Sequence, residues 1–330
     1  MTGHTLSKTL DRRVLGKSGI LVSEIGVGLW AAGGESWGAT DDDEVLDAID
    51  AALDAGANLF DTSDVYGAGH SEQLLGRAMT GRRDKFVVAT KIGWQNFDQD
   101  RQQTQYTTVD KLIAGVESNL RRLNTDYIDL MQSHITYRES TMEIFVEGFQ
   151  RLQEQGKIRA YGLSTSHFDY LKAFNQDGGC ASLQVDYSVL NRKPEADIFP
   201  YCQEHDIGIL VRGPLAMGIL TGKFNRHTAF GADDWRSRWL ENEDEYAIFL
   251  EDLAKVEQLE PLAEEHSLAQ LALQFVLAHP AVTSAIPGAK NVRQVMENIE
   301  AGMLPPLTPE ELARIEKITP EGGGRKIWPA

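Results

Sequence analysis

Only two cysteines, Cys180 and Cys202, occur in the 330 residues. Two sulfurs make neither a disulfide framework nor a four-cysteine metal site, and no metal is expected. Positive charge is also in short supply. Lys and Arg number 32 against 49 Asp and Glu, a formal net charge of −17. Such a chain is repelled by phosphate backbones and anionic lipid, which argues against nucleic acid and membrane surfaces as partners. No apolar run approaches the roughly 20 residues that span a bilayer. The first 13 residues are polar and have no apolar h-region, so no secretory signal is expected and the expected compartment is the cytoplasm. Pro/Gly/Ser-rich linkers and low-complexity tracts are missing as well. The reading is therefore one domain over 13–318, with a flexible arm at 1–12 and a tail at 319–330 in which Trp328 could dock back.

What the chain does have is alternation. Short apolar, β-branched runs lie at 21–29, 58–61, 86–91, 127–134, 158–164, 182–187, 208–212 and 282–286. Helix-like stretches lie at 41–55, 108–123, 140–155, 167–175, 195–205 and 261–279. Alternation of this kind signals βα units and a parallel sheet. Eight such units in about 300 residues fit a closed (β/α)₈ barrel, an α/β fold of one domain. Two segments break the rhythm. Residues 13–20 read as a hairpin with a Lys17-Ser18-Gly19 turn. Residues 222–243 form a polar, aromatic-bearing insertion after the seventh strand, the kind of long loop that tends to carry function.

In a barrel of this kind the site lies where strands end. Three neighbouring strands end on ionisable residues: Asp61, Lys91 and His134, with Tyr66 in the loop beyond Asp61. Each alone has a plain structural reading, as a cap, a satisfied core residue or packing. Lys91 resists it. It follows Phe86-Val87-Val88-Ala89-Thr90, and a buried ammonium without a carboxylate is costly; Asp61 is the candidate partner. An ammonium beside a phenol favours phenolate, so the Tyr66 pKa is expected below its usual ~10. Tyr66 can then pass a proton while an imidazole N–H holds a carbonyl oxygen. Hydride must come from a nicotinamide or flavin, since no side chain donates it.

These residues sit in stretches that resemble the aldo-keto reductase superfamily. They are Asn58-Leu59-Phe60-Asp61-Thr62-Ser63 with Tyr66-Gly67, Thr90-Lys91, Asp126-Tyr127-Ile128-Asp129-Leu130 leading to His134, and Gly162-Leu163-Ser164-Thr165. Gln184-Val185-Asp186-Tyr187 follows, then Pro214-Leu215-Ala216-Met217-Gly218-Ile219-Leu220-Thr221-Gly222-Lys223, and Ile286-Pro287-Gly288-Ala289 with Glu297-Asn298. The resemblance runs from about Arg13 to Ile318. It implies a barrel whose base is closed by the N-terminal hairpin, and an extended NADP(H), with NAD(H) left open. Tyr66 is implied as general acid/base, Lys91 and Asp61 as its tuning pair, and His134 as the group that orients the carbonyl. Ser164 and Gln184 match carboxamide-holding positions. Leu215, Gly218, Leu220, Gly222 and Lys223 match the segment over the pyrophosphate, and Gln294 and Asn298 match the adenosine end.

Three positions depart from the family pattern. Thr165 stands where an Asn is common. Arg212 stands where many members place an aromatic residue against the nicotinamide; a guanidinium can also stack there or bind an acidic group. Gly288 and Gln294 stand where some members carry Lys and Arg for a 2′-phosphate. Lys290 and Arg293 can substitute, or can be a solvated helix face. Trp30, Trp94, Phe97 and Trp235 are candidates for the wall of a pocket that takes a small carbonyl compound or a sugar.

Other readings compete. Gly26-Val27-Gly28 imitates a dinucleotide fingerprint, but no helix opens directly after it, and Asp50 lies mid-helix at the acid's spacing. Asp61, Asp64, His70 and Glu72 lack zinc-ligand spacing. A strand-end lysine can form a Schiff base, but Asp61 argues for a paired ammonium. A nicotinamide-binding regulatory subunit of the same fold, with little turnover, remains the alternative. Oligomeric state is open.

Overall fold

A computed structural model describes residues 9–38, 40–134, 141–263 and 266–323. Trp328 and the rest of 324–330 lie outside the described residues, as do 1–8. In chain order the elements are β1 (Arg12–Val14), β2 (Leu21–Ser23), β3 (Val27–Gly28), α1 (Asp42–Asp54), β4 (Leu59–Asp61), α2 (His70–Ala78), β5 (Val87–Ile92), α3 (Phe97–Asp100), α4 (Val109–Leu123), β6 (Ile128–His134) and α5 (Met142–Glu154). There follow β7 (Ile158–Ser164), α6 (Phe168–Phe174), β8 (Ser182–Asp186), α7 (Ile198–Glu204), β9 (Gly208–Arg212), α8 (Arg238–Glu241), α9 (Glu243–Ala263), α10 (Leu268–Ala278), β10 (Val282–Ala285), α11 (Val292–Met303) and α12 (Pro309–Ile318).

Eight strands, β3 to β10, pair in parallel and in chain order. Parallel bridges Ile25 to Ala285 and Gly28 to Gly288 join the first strand's segment to the last and close the barrel. Closure requires close approach of backbones. A Cβ at Gly28 would lie 2.8 Å from the Ile286 carbonyl oxygen, and only hydrogen fits there. The glycines of the false fingerprint thus sit at the barrel seam.

The barrel separates two apolar cores. Side chains alternate across a strand, so one face of each strand points inward. Leu59, Val87, Ala89, Leu130, Ala160 and Leu210 form the inner core, and Leu15, Ile20 and Val22 of the hairpin plug its floor. The much larger outer core lies between strands and helices. Two residues above the inner apolar layer the same inward faces carry Asp61, Lys91, Gln132, Gly162 and Arg212. The barrel interior is therefore apolar at the base and polar at the top.

The structure revises several sequence boundaries. The run 21–29 is not one strand. Residues 21–23 pair antiparallel with β1 in a separate two-stranded hairpin, whereas Val27 and Gly28 form the barrel strand and Ile25 adds one bridge to it. Leu10 is buried and β1 starts at Arg12. The stretch 261–279 divides. Its first residues, including Pro261, finish α9, and α10 starts afresh behind a capping box of Ser267 and Gln270. The 195–205 stretch shortens to α7 behind its Asp197 cap. Helices α2, α3, α8, α11 and α12, and α9 before Pro261, fall outside the stretches the sequence reads as helical.

Candidate active site

The parallel register sets the top of the barrel. Lys91 pairs with Gln132, His134 with Ser164, and Ser164 with Gln184, so these side chains form adjoining rows. Lys91 is fully buried. Its Nζ donates to Asp61 Oδ1 at 2.6 Å, to the Thr62 carbonyl at 2.9 Å and to Tyr66 Oη at 3.0 Å, which satisfies all three N–H groups. Asp61 Oδ2 accepts from Gln184 Nε2 at 2.8 Å and Gln132 Nε2 at 3.2 Å. The carboxylate is fixed from three strands.

The electrostatics differ in part from expectation. Burial raises the Tyr66 phenol above its ordinary value, and the Lys91 ammonium pulls against this without overcoming it. The phenol therefore remains protonated at neutral pH, which suits a proton donor. Burial disfavours the Lys91 ammonium, but Asp61 and Tyr66 more than compensate and raise its pKa. Burial, then Lys91 and Arg212, push the His134 imidazole well below its usual range, so His134 is neutral. Its Nδ1 lies 3.1 Å from Ser63 Oγ. Tyr66 stacks on Trp30, with centroids 6.0 Å apart, and meets the His134 ring edge-on at 6.1 Å.

These groups line a cleft of about 860 Å³. Asp61, Tyr66, His134, Ser164, Gln184, Arg212, Leu215, Gly218, Lys223, Gly288, Lys290, Arg293, Gln294, Glu297 and Asn298 all contribute to its wall, as do Trp30, Trp94 and Phe97. Five expected residues are not on this wall. Lys91 is fully buried and reaches the site through Asp61 and Tyr66. Thr165 caps the turn to His167, and Leu220 is fully buried. A Cβ at Gly222 would meet Leu268 and Glu260. Trp235 stacks behind Trp30 at 6.4 Å. Arg212, at the end of β9, donates Nη2 to Ser166 Oγ at 3.0 Å.

One end of the cleft is rich in donors. Burial and the nearby Arg236 guanidinium lower the Lys223 and Lys290 ammoniums. Trp37, also on the wall, has a buried Nε1–H with no hydrogen-bond partner among the described residues. Lys290 Nζ donates to the Trp37 carbonyl, and Trp37 bridges to Asp234 of the insertion. Clustered cations, an orphaned N–H and glycines at 28, 218 and 288 fit an extended anionic cofactor running from this end to Tyr66. Sequence reasoning missed Trp37, Gln132 and Arg236 here. For Gln132 a signal existed, since it shares the period-two face of Leu130 and His134.

The sequence matches the Aldo/keto reductase family over residues 24–320. The chain belongs to that family. This aldo/keto reductase is 35% identical to "Aldo-keto reductase YhdN" of Bacillus subtilis over 285 residues, 84% of each chain. It is 32% identical to a "Probable voltage-gated potassium channel subunit beta" of Arabidopsis thaliana, over 92% of this chain and 95% of that one. Among solved structures, it superposes on the glycerol dehydrogenase AKR11B4 from Gluconobacter oxydans with a TM-score of 0.82 at 34% identity, covering 97% and 98% of the two chains. An aldo-keto reductase from Klebsiella pneumoniae in complex with NADPH gives a TM-score of 0.72 at 26% identity, covering 95% and 96%. Among the described residues of this aldo/keto reductase, no helix is long and apolar enough to cross a membrane.

Proposed function

We propose that this aldo/keto reductase transfers hydride between NADP(H) and a small aldehyde or ketone, or the corresponding alcohol or sugar, with Tyr66 as general acid/base. The observation that carries this reading is the Lys91 bridge. One buried ammonium ties the Asp61 carboxylate to the Tyr66 hydroxyl at the wall of a cleft. When bound, the nicotinamide supplies the hydride. The chain's own residues do the rest. Tyr66 Oη gives its proton to the carbonyl oxygen in reduction and takes it back in oxidation. Lys91 steadies the phenolate left behind, and Asp61 keeps Lys91 charged and in place. His134, neutral, orients the carbonyl oxygen by a hydrogen bond. Ser164 and Gln184 hold the carboxamide, and Leu215, Gly218 and Lys223 flank the pyrophosphate. Lys290 and Arg293 approach a 2′-phosphate, beside Gln294 and Asn298 at the adenosine. Trp30, Trp94 and Phe97 face the substrate and exclude water.

The test is loss of nicotinamide absorbance with a reactive aryl aldehyde, run with NADPH and with NADH beside Tyr66→Phe. Turnover that disappears in Tyr66→Phe supports the assignment. Nucleotide binding with no turnover favours the second reading, a nicotinamide-binding regulatory subunit. The similarity to a potassium channel subunit beta keeps that reading in view.

A further inference from the structure

We propose that Ser63 and Asp64 form a relay that decides which nitrogen of His134 carries the ring hydrogen, and so how firmly the site holds a substrate carbonyl. The second half of this inference rests on the carbonyl-reducing reading; the first half does not.

The geometry is a chain of three buried groups. Ser63 Oγ lies 3.1 Å from His134 Nδ1 and 3.0 Å from Asp64 Oδ1, and it receives the Val65 N–H at 3.4 Å. All three side chains are buried, and His134 forms part of the cleft wall. With Nδ1 turned toward Ser63, Nε2 is the nitrogen left for the cleft. A hydroxyl has one hydrogen to give, so the relay has two self-consistent directions. With Asp64 ionised, Ser63 donates to it and accepts from Nδ1–H, leaving Nε2 a bare acceptor. With Asp64 protonated, Asp64 donates to Ser63, Ser63 donates to Nδ1, and the ring hydrogen sits on Nε2, facing the cleft. Only the second state can donate to a carbonyl oxygen. The states differ by one proton. Passing from the second to the first, the Asp64 hydrogen moves to Ser63, the Ser63 hydrogen moves to Nδ1, and the Nε2 hydrogen leaves for the cleft.

The surroundings place the change near neutrality. Asp64 faces Glu72 of α2, Arg122 of α4 and the Tyr106 phenol, and its N–H bonds the Lys91 carbonyl of β5 at 3.3 Å. Arg122 is drawn away from it, because Nε donates to Glu72 at 2.6 Å and Nη1 to Asp98 at 2.8 Å. Glu72 is further held by Thr90 and Asn119. Burial and then Glu72 raise the Asp64 carboxyl to about 7, against Arg122 and Ser63. His134 faces Lys91 of β5 and Arg212 of β9, which with burial keep it neutral. It changes tautomer rather than charge.

The decisive experiment is nitrogen-15 NMR of the full chain with labelled histidine, from about pH 5.5 to about 8.5. The signal lost in His134→Gln identifies the ring. The expected result is an Nε2–H ring at low pH and an Nδ1–H ring at high pH, crossing near 7. Asp64→Asn, which has no proton to release, holds one tautomer at every pH, the Nε2–H form where its amide donates to Ser63, and Ser63→Ala abolishes the crossing. A wild-type ring that keeps one tautomer across the range, or a crossing that survives in Asp64→Asn, overturns the relay. In steady state the aldehyde KM should rise about tenfold by pH 8, because the competent tautomer falls to about a tenth. It should stay flat in Asp64→Asn, while kcat moves less. A KM that tracks wild type in Asp64→Asn overturns the link to carbonyl binding. The NMR arm needs no turnover, so an inactive protein with an intact crossing would refute the reductase reading and leave the relay standing.

Discussion

The Lys91 ammonium bonds the Asp61 carboxylate at 2.6 Å inside the barrel, and both side chains are almost wholly buried. A buried ion pair of this kind adds little net stability, but breaking it strands a charge. The pair is therefore best explained by what it does for Tyr66. The same Nζ that neutralises Asp61 points its third hydrogen at the phenol.

Lys91→Met should abolish turnover and destabilise the fold by about 3–5 kcal/mol, because Asp61 loses its counter-charge. Lys91→Ala should be worse by the cavity it adds. Adding Asp61→Asn to Lys91→Met should recover part of the stability and none of the activity. Urea unfolding of the three variants checks the order; activity returning in the double variant would contradict the role assigned to Lys91.

Tyr66→Phe removes the transferable proton and leaves the ring on Trp30. Turnover should fall by roughly 10² to 10⁴-fold, with NADPH affinity unchanged by fluorescence titration. Full activity in this variant would remove Tyr66 from the mechanism.

Arg293 lines the cleft. If it meets a 2′-phosphate, Arg293→Ala should weaken NADPH by about 1.5–3 kcal/mol, the scale of a charged hydrogen bond, and barely affect NADH. Equal loss for both nucleotides in calorimetric titrations would refute the assignment.

Asp64 gives stability a sign with pH. Its folded carboxyl titrates near 7, above the usual carboxylate range, chiefly through burial. The folded state therefore holds a proton that the unfolded chain releases near pH 4. Its contribution is full below about pH 4 and is lost as pH rises toward 7. Asp64→Asn should thus be more stable than wild type at pH 8, by about 1–3 kcal/mol, with a smaller advantage at pH 5. Paired urea titrations at the two pH values measure the difference. A larger advantage at pH 5 would reverse the sign and exclude a raised carboxyl.

Gly16 and Gly28 hold the barrel's floor and seam. Gly16 has φ +46°, and a Cβ there would lie 2.4 Å from the Gly208 amide nitrogen. Gly16→Ala should cost more than Gly28→Ala, since it combines a left-handed backbone with a backbone clash, and each should exceed about 1 kcal/mol. Calorimetric melting of both variants tests this; an unchanged melting temperature for Gly16→Ala would show that the hairpin does not seal the base.

Much of this was legible in the residues themselves. Eight β-branched runs at regular spacing announce a barrel, because a parallel sheet buried on both faces needs continuous apolar strands. The polar ends of three of those runs, Asp61, Lys91 and His134, stand out against that background, and a buried lysine demands a carboxylate. Elements without such contrast were lost. Helix α2 is nine residues long and opens behind Gly69, and the 21–29 run looks continuous although its first three residues pair in the hairpin instead of the barrel.

What the residues alone settled is local: which strands are apolar, where they turn polar, and which side chains carry charge. Register and burial were settled by tertiary structure. Only the closed barrel brings Gln184 to Asp61 across 123 residues, sets Trp37 rather than Trp235 on the cleft wall, and desolvates Tyr66 enough to raise a phenol that its lysine neighbour alone would lower. The reason is physical. A side chain's pairing preference is a property of its chemistry, whereas its solvation and its distant neighbours exist only once the chain has closed around it.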